Sequence, residues 1–112
     1  MIAEFARRHI ARGAWGRIIG LTSGGASASL RRSPTAAKAA QVSYTMSAAL
    51  ELARFAITAN MVQPPVTDTG CVSDAVRDAV ASPLFHVASP AVVVYLASGA
   101  AVLITANVIT LR

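Results

Sequence analysis

The feature that most constrains the fold is a long helical segment lying between two short apolar segments. The apolar segments cover residues 17–22 and 57–62, and both are short enough to be buried strands. Residues 34–55, between them, carry apolar side chains at steps of three and four, which is the spacing of one helix face. The residues of this stripe are Val42, Met46, Leu50 and Ala53. A strand–helix–strand order with apolar strands predicts a parallel α/β fold.

The ends of the helices are marked by residues suited to those positions. Ser33 can cap the free N–H groups of the long helix, and Pro34 suits its first turn because no hydrogen-bond donor is needed there. An earlier helix is predicted over residues 2–12, with an apolar face and Gly13 after its end. Further along, we predict a short helix over residues 73–81.

The length of 112 residues is that of one small domain. A complete doubly wound dinucleotide-binding domain needs roughly twice this length. The chain is 54% hydrophobic but only 5% aromatic, so much of its apolar content comes from small side chains that bury little area each. We therefore expect some apolar surface to stay uncovered and the chain to self-associate.

The net charge of +5 is concentrated in residues 1–38, which hold seven Lys or Arg and one Glu. The basic residues are scattered and lack interleaved aromatic residues, so we predict no nucleic-acid partner. Cys71 is the only cysteine, which forbids an internal disulfide and favours a reducing, cytoplasmic location. The two His residues are far apart in sequence, and no metal is predicted.

Residues 91–111 are uncharged over 21 positions, about the length of a membrane-spanning helix. The Ser98-Gly99 pair interrupts this segment, and its second half is β-branched. We predict a helix over 91–97 and a buried strand over 102–110. A single-span membrane protein remains an open alternative.

Three motifs occur in a characteristic order. They are Leu21-Thr22-Ser23-Gly24, then Ala36-Ala37-Lys38-Ala39-Ala40, then the run Ile57-Thr58-Ala59-Asn60-Met61-Val62-Gln63-Pro64-Pro65-Val66-Thr67-Asp68-Thr69. In wording and spacing they resemble the catalytic half of the short-chain dehydrogenase/reductases, which transfer a hydride between NAD or NADP and an alcohol or ketone. The resemblance implies the C-terminal part of a Rossmann-like doubly wound sheet, with about three strands and flanking helices.

The resemblance also implies roles for individual residues. Ser23 would donate a hydrogen bond to the substrate oxygen, and Lys38 would bind the nicotinamide ribose and lower the pKa of the catalytic tyrosine. The backbone of Val66 would lie near the cofactor's carboxamide, and Thr69 would contact the carboxamide or the phosphates.

Two family features have no match in the sequence. The catalytic tyrosine would stand four positions before Lys38, where this chain has Pro34. Tyr44 cannot replace it, because six residues along a helix give about 9 Å of rise and a different face. The glycine-rich phosphate turn is absent from the 112 residues, since the glycines after Thr22 have the wrong spacing for that turn.

We therefore expect a partial domain over residues 1–112 that lacks the nucleotide-binding half and is inactive as it stands. The alternative from another functional class is a non-catalytic interaction module. In the family, the helices matching residues 2–12 and 34–55 commonly pair with a second subunit. The resemblance thus also implies a homo-oligomer.

Overall fold

The computed structural model describes residues 1–22, 33–65 and 90–111. The three helices are α1 (Ile2–Arg12), α2 (Ser33–Leu52) and α3 (Ala91–Ala97), and the three strands are β1 (Gly16–Leu21), β2 (Ile57–Gln63) and β3 (Asn107–Thr110). Short 3₁₀ turns follow α2 at Ala53–Phe55 and α3 at Gly99–Ala101. The predicted helix over residues 73–81 lies outside the described residues.

The strands form one parallel sheet in the order β1-β2-β3. Gly16 lies beside Ile57, and this register continues to Leu21 beside Val62. On the other side of β2, Asn60 lies beside Asn107. The parallel α/β fold predicted from the alternation of helices and strands is confirmed.

Helices cover both faces of the sheet. On one face, α1 and α2 enclose a core whose buried members are Ala6, Ala48, Ala49, Leu52, Ile57 and Ala59. On the other face, residues of α3 and the following turn pack against β2, and the buried members are Val62, Leu96 and Ala101. β2 is the central strand and is buried along nearly its whole length, as expected for a parallel strand covered on both faces.

Glycines on β1 allow the helical layer and the neighbouring strand to approach closely. A Cβ atom added at Gly16 would lie 2.9 Å from Cζ of Phe5 on α1. One added at Gly20 would collide with the sulfur of Met61 on the adjacent strand. The small residues in this layer therefore permit dense packing, in which an added methyl group has no room.

The last strand is shorter than predicted. A strand was expected over 102–110, but only Asn107–Thr110 is extended and paired. Ala106 has a left-handed backbone with φ of 60°, and its N–H donates to the Ala59 carbonyl at 2.9 Å. The Thr105 hydroxyl accepts a hydrogen bond from the Ala59 N–H at 3.1 Å. The hydrogen bond to the Thr105 hydroxyl and the turn at Ala106 thus take the place of the strand pairing that the β-branched composition of residues 102–106 favours.

The long helix is also shorter than predicted. It was expected to reach residue 55, but regular α-helix ends at Leu52 and the chain then tightens into the 3₁₀ turn. Ala56 closes that turn with φ of 57°, in the left-handed region typical of helix ends.

The uncharged segment 91–111 does not form a membrane-spanning helix. It consists of α3, a 3₁₀ turn and β3. Throughout the described residues, no helix combines the length and apolarity needed to cross a bilayer.

Candidate functional site

The carboxyl ends of the strands meet at one edge of the sheet, as they must in a parallel arrangement. β1 ends at Leu21 and β2 at Gln63. α2 runs back along the sheet from this edge, since Lys38 near its start contacts Leu21, whereas Leu52 at its end packs in the core with Ile57. In open α/β sheets, ligands bind at this edge.

Lys38 is the predicted site residue that the structure places most directly. It lies in the second turn of α2, and its Nζ donates a hydrogen bond of 2.8 Å to the backbone carbonyl of Leu21. This bond lies at the protein surface. The ammonium group therefore stands at the carboxyl edge of the sheet, and an ammonium group has three N–H donors.

Position 34 stands one helical turn before Lys38 on α2. Residues four apart lie on the same face of a helix. The sequence has proline there, which carries no ionisable group. Tyr44, the only tyrosine of α2, is 72% exposed.

Ser23, Val66 and Thr69 lie outside the described residues, so their predicted roles stay predictions. The strands that lead to them are described. Thr22 is buried, and its N–H donates to the Val62 carbonyl at 2.9 Å. The two segments that carry the predicted substrate and cofactor contacts therefore leave the sheet from adjacent, hydrogen-bonded strand ends.

One important polar residue was not assigned a role from the sequence. Asn60 is 1% exposed in the middle of β2, and its Nδ2 donates to the Ile104 carbonyl at 2.8 Å. Its Oδ1 accepts from the Asn107 N–H at 3.2 Å. The available signal was an amide side chain inside an apolar strand, which must find partners when buried. Asn60 ties β3 to β2 and does not reach the carboxyl edge.

In the described stretches of the chain, no three His, Cys, Asp or Glu side chains are arranged to hold a metal ion. A charged group described at the candidate site is the Lys38 ammonium, which lies beside a backbone carbonyl. Such a group suits hydroxyl or phosphate oxygens as ligands.

Comparison with protein families gives a match over most of the chain. The model described as short chain dehydrogenase matches residues 1–80. A comparison with curated proteins finds no match.

Solved structures with the same fold include a short-chain type dehydrogenase/reductase from Mycobacterium ulcerans. It is 24% identical with a TM-score of 0.82, and the match covers 98% of this chain and 44% of that one. Acetoin dehydrogenase from Enterobacter cloacae is 28% identical with a TM-score of 0.76, covering 96% of this chain and 46% of that one. The chain spans less than half the length of these solved structures.

Proposed function

Because the chain belongs to the short-chain dehydrogenase family, we propose that it forms the catalytic half of an NAD- or NADP-dependent oxidoreductase domain. The reaction class is hydride transfer between a nicotinamide and a small alcohol or ketone. The observation that carries the proposal is the bond from Lys38 to the Leu21 carbonyl. It holds a cation at the sheet edge where the family motif requires the ribose-binding lysine.

The donor chemistry at this edge fits the ribose end of a nicotinamide cofactor. The Lys38 ammonium can donate to ribose hydroxyls while it keeps its bond to Leu21, because it has three N–H donors. Ser23 would bind the substrate oxygen, and Val66 and Thr69 would contact the nicotinamide end. When bound, the cofactor supplies or accepts the hydride.

We further propose that these 112 residues do not turn over substrate by themselves. A tyrosine at position 34 would be the general acid and base, and a positioned acid–base group contributes about 10² to 10⁴ in rate. Pro34 can neither give nor take a proton. The anion-binding turn that holds the cofactor phosphates in the family is not among these residues either.

A graft tests the assignment. Residues 1–112 would replace the corresponding half of an active relative, and activity would be followed by the near-ultraviolet absorbance of the nicotinamide. We expect the graft to be inactive with Pro34. Pro34→Tyr should raise the rate at least about 100-fold. Adding Lys38→Met should remove the gain, because the ammonium binds the ribose and favours the tyrosinate.

The matched control for the graft is Ala36→Tyr. Residue 36 is exposed and lies about 200° around the helix from position 34, so its hydroxyl cannot approach Lys38. This variant should stay inactive. A graft that is as active with Pro34 as with tyrosine there would refute the proposed register of α2.

A second candidate function, a helix-mediated interaction module, is favoured by apolar side chains on the surface of α2. Tyr44 is 72% exposed and Leu50 is 78% exposed. A second copy packing on α1 and α2 would cover them, so we propose a homo-oligomer as the assembly. The Pro34→Tyr graft distinguishes the two functions, because an interaction module gains no activity from a tyrosine at that position. A cytoplasmic location remains a prediction from the single cysteine.

A further inference from the structure

Arg17 joins separate parts of the chain through their backbone carbonyls. It is the second residue of β1, and its Nη1 donates to the Gly16 carbonyl at 2.9 Å and to the Ala56 carbonyl at 3.5 Å. Its Nε donates to the Ser98 carbonyl at 3.4 Å. Ala56 closes the turn after α2 and Ser98 follows α3, so Arg17 contacts segments that lie 39 and 81 positions further along the chain.

The guanidinium group of Arg17 is suited to this arrangement. It is planar, always charged and carries five N–H donors, so it can bond several carbonyls at once. Its central carbon lies 4.6 Å from the centroid of the Trp15 ring, which adds a cation–π contact. Hydrogen bonds from a charged donor stabilise a fold more than neutral ones. Arg17 therefore helps to hold the Ser98 carbonyl beside β1.

Arg17 lies on the face of the sheet that α3 covers. Ile18 packs against the core that α1 and α2 enclose, whereas Ile19 packs against the core formed with α3. Because side chains alternate along a strand, Arg17 shares the face of Ile19. The contact with Ser98 thus fixes the C-terminal end of α3 to the beginning of β1.

α3 depends on tertiary contacts because it is short. It has seven residues, and isolated helices shorter than about 12 residues are marginally stable in water. Leu96 of α3 and Ala101 of the following turn are buried in one cluster with Val62 of β2. β3 is held to the sheet differently, by backbone pairing with β2 and by the bonds of Asn60. The attachment of α3 is therefore distinct from that of β3.

We propose that α3 and the 3₁₀ turn after it, residues 91–101, open from the sheet as a separate unit while β3 stays paired, and that Arg17 is the side chain that holds this unit closed. Opening uncovers Ile19 and Val62, which stand close to the strand ends that lead to the proposed site. This device needs no cofactor and is independent of the proposed oxidoreductase function.

Hydrogen exchange of the full chain without cofactor, measured over a series of low urea concentrations, tests the separate opening. An opening that uncovers little surface depends weakly on urea, whereas unfolding of the whole chain depends on it strongly. The amides of Leu96, inside α3, and Ser98, at its end, should show the weak dependence. The amides of Ala59 and Ala106, which are bonded between β2 and the segment before β3, should show a stronger one. Equal urea dependence and equal opening free energy in both groups would mean that α3 opens only with the whole chain, and would overturn the proposal.

Substitution of Arg17 tests which side chain holds the unit closed. Arg17→Met removes the donors, so the amides of Leu96 and Ser98 should exchange about tenfold faster, the effect of losing one charge-assisted hydrogen bond. The matched control is Arg54→Met, because Arg54 also stacks on an aromatic ring at 4.6 Å, that of Phe55, and the substitution changes the net charge equally. Arg54 lies on the turn after α2, outside the unit, so this change should leave both amides as they were. If it accelerates them as strongly as Arg17→Met, or if Arg17→Met leaves their rates unchanged, the proposal is wrong.

A second variant applies if Arg17→Met loses its helical circular dichroism. Arg17→Lys keeps the charge, but a compact ammonium group cannot reproduce the planar fork that bonds the carbonyls around Arg17. It should accelerate exchange of the Leu96 and Ser98 amides, and unchanged rates in this variant count equally against the proposal. The graft's activity is a separate measurement and can succeed or fail independently.

Discussion

Replacing Ala106 by glycine should stabilise the chain. Ala106 has φ of 60°, in the left-handed region that suits glycine and strains other residues. Its N–H bond to the Ala59 carbonyl holds the turn before β3 in this conformation. Ala106 is exposed, so removing its methyl group leaves no cavity.

The expected gain is the difference between two opposing terms. The left-handed conformation costs an alanine about 1–2 kcal/mol, which glycine does not incur. Glycine also makes the unfolded chain more flexible, and this lowers the free energy of unfolding by about 0.4–1 kcal/mol. We therefore expect Ala106→Gly to raise the free energy of unfolding by about 0.5–1 kcal/mol, or the Tm by about 2–8 °C for a domain near 100 residues.

The measurement is urea unfolding followed by far-ultraviolet circular dichroism, at one fixed protein concentration so that self-association affects all variants alike. The matched control is Ala39→Gly, at an exposed position inside α2, which should lower the stability by about 1 kcal/mol. Ala56→Gly, at φ of 57°, should stabilise like Ala106→Gly. If Ala106→Gly destabilises as much as Ala39→Gly, the backbone at position 106 is not left-handed in solution and the explanation of the short β3 fails.

Two further predictions concern β2 and cofactor binding. Asn60→Ala should lower the free energy of unfolding by about 2–4 kcal/mol, because the buried Ile104 carbonyl and Asn107 N–H lose their partner; the same urea assay checks this, and a loss below about 0.5 kcal/mol would contradict it. The 112-residue chain alone should give no saturable change in NADH or NADPH fluorescence at micromolar concentration, because these residues include no phosphate-binding turn. A saturable response would contradict that prediction.

Local patterns in the sequence were sufficient to predict most elements. The helices over residues 2–12 and 91–97 have the predicted bounds. β1 begins and ends one residue earlier than predicted, and β2 ends one residue later. These elements depend on apolar spacing and on stop signals such as Gly13, which act within a few residues. The parallel arrangement also followed, because apolar strands that alternate with helices have few other ways to bury their faces.

The candidate site was predicted only in part. Lys38 could be placed on the helix between two strands from its motif and its distance to Asn60. Its contact with the Leu21 carbonyl, 17 residues away, depends on how α2 lies along the sheet. No local pattern specifies that placement.

The sequence by itself determined the parallel α/β class, the main helices and the absence of an acid–base side chain at Pro34, since these depend on residue identity and short-range spacing. Only the tertiary structure decided where β3 begins and what Asn60 does. Asn60 meets its partners 44 and 47 residues later in the chain. A buried amide must find hydrogen-bond partners wherever the fold brings them near. The β-branched residues within 102–106 favour a strand, but these residues form the connection that precedes β3, and the Ile104 carbonyl in this connection is a partner of Asn60.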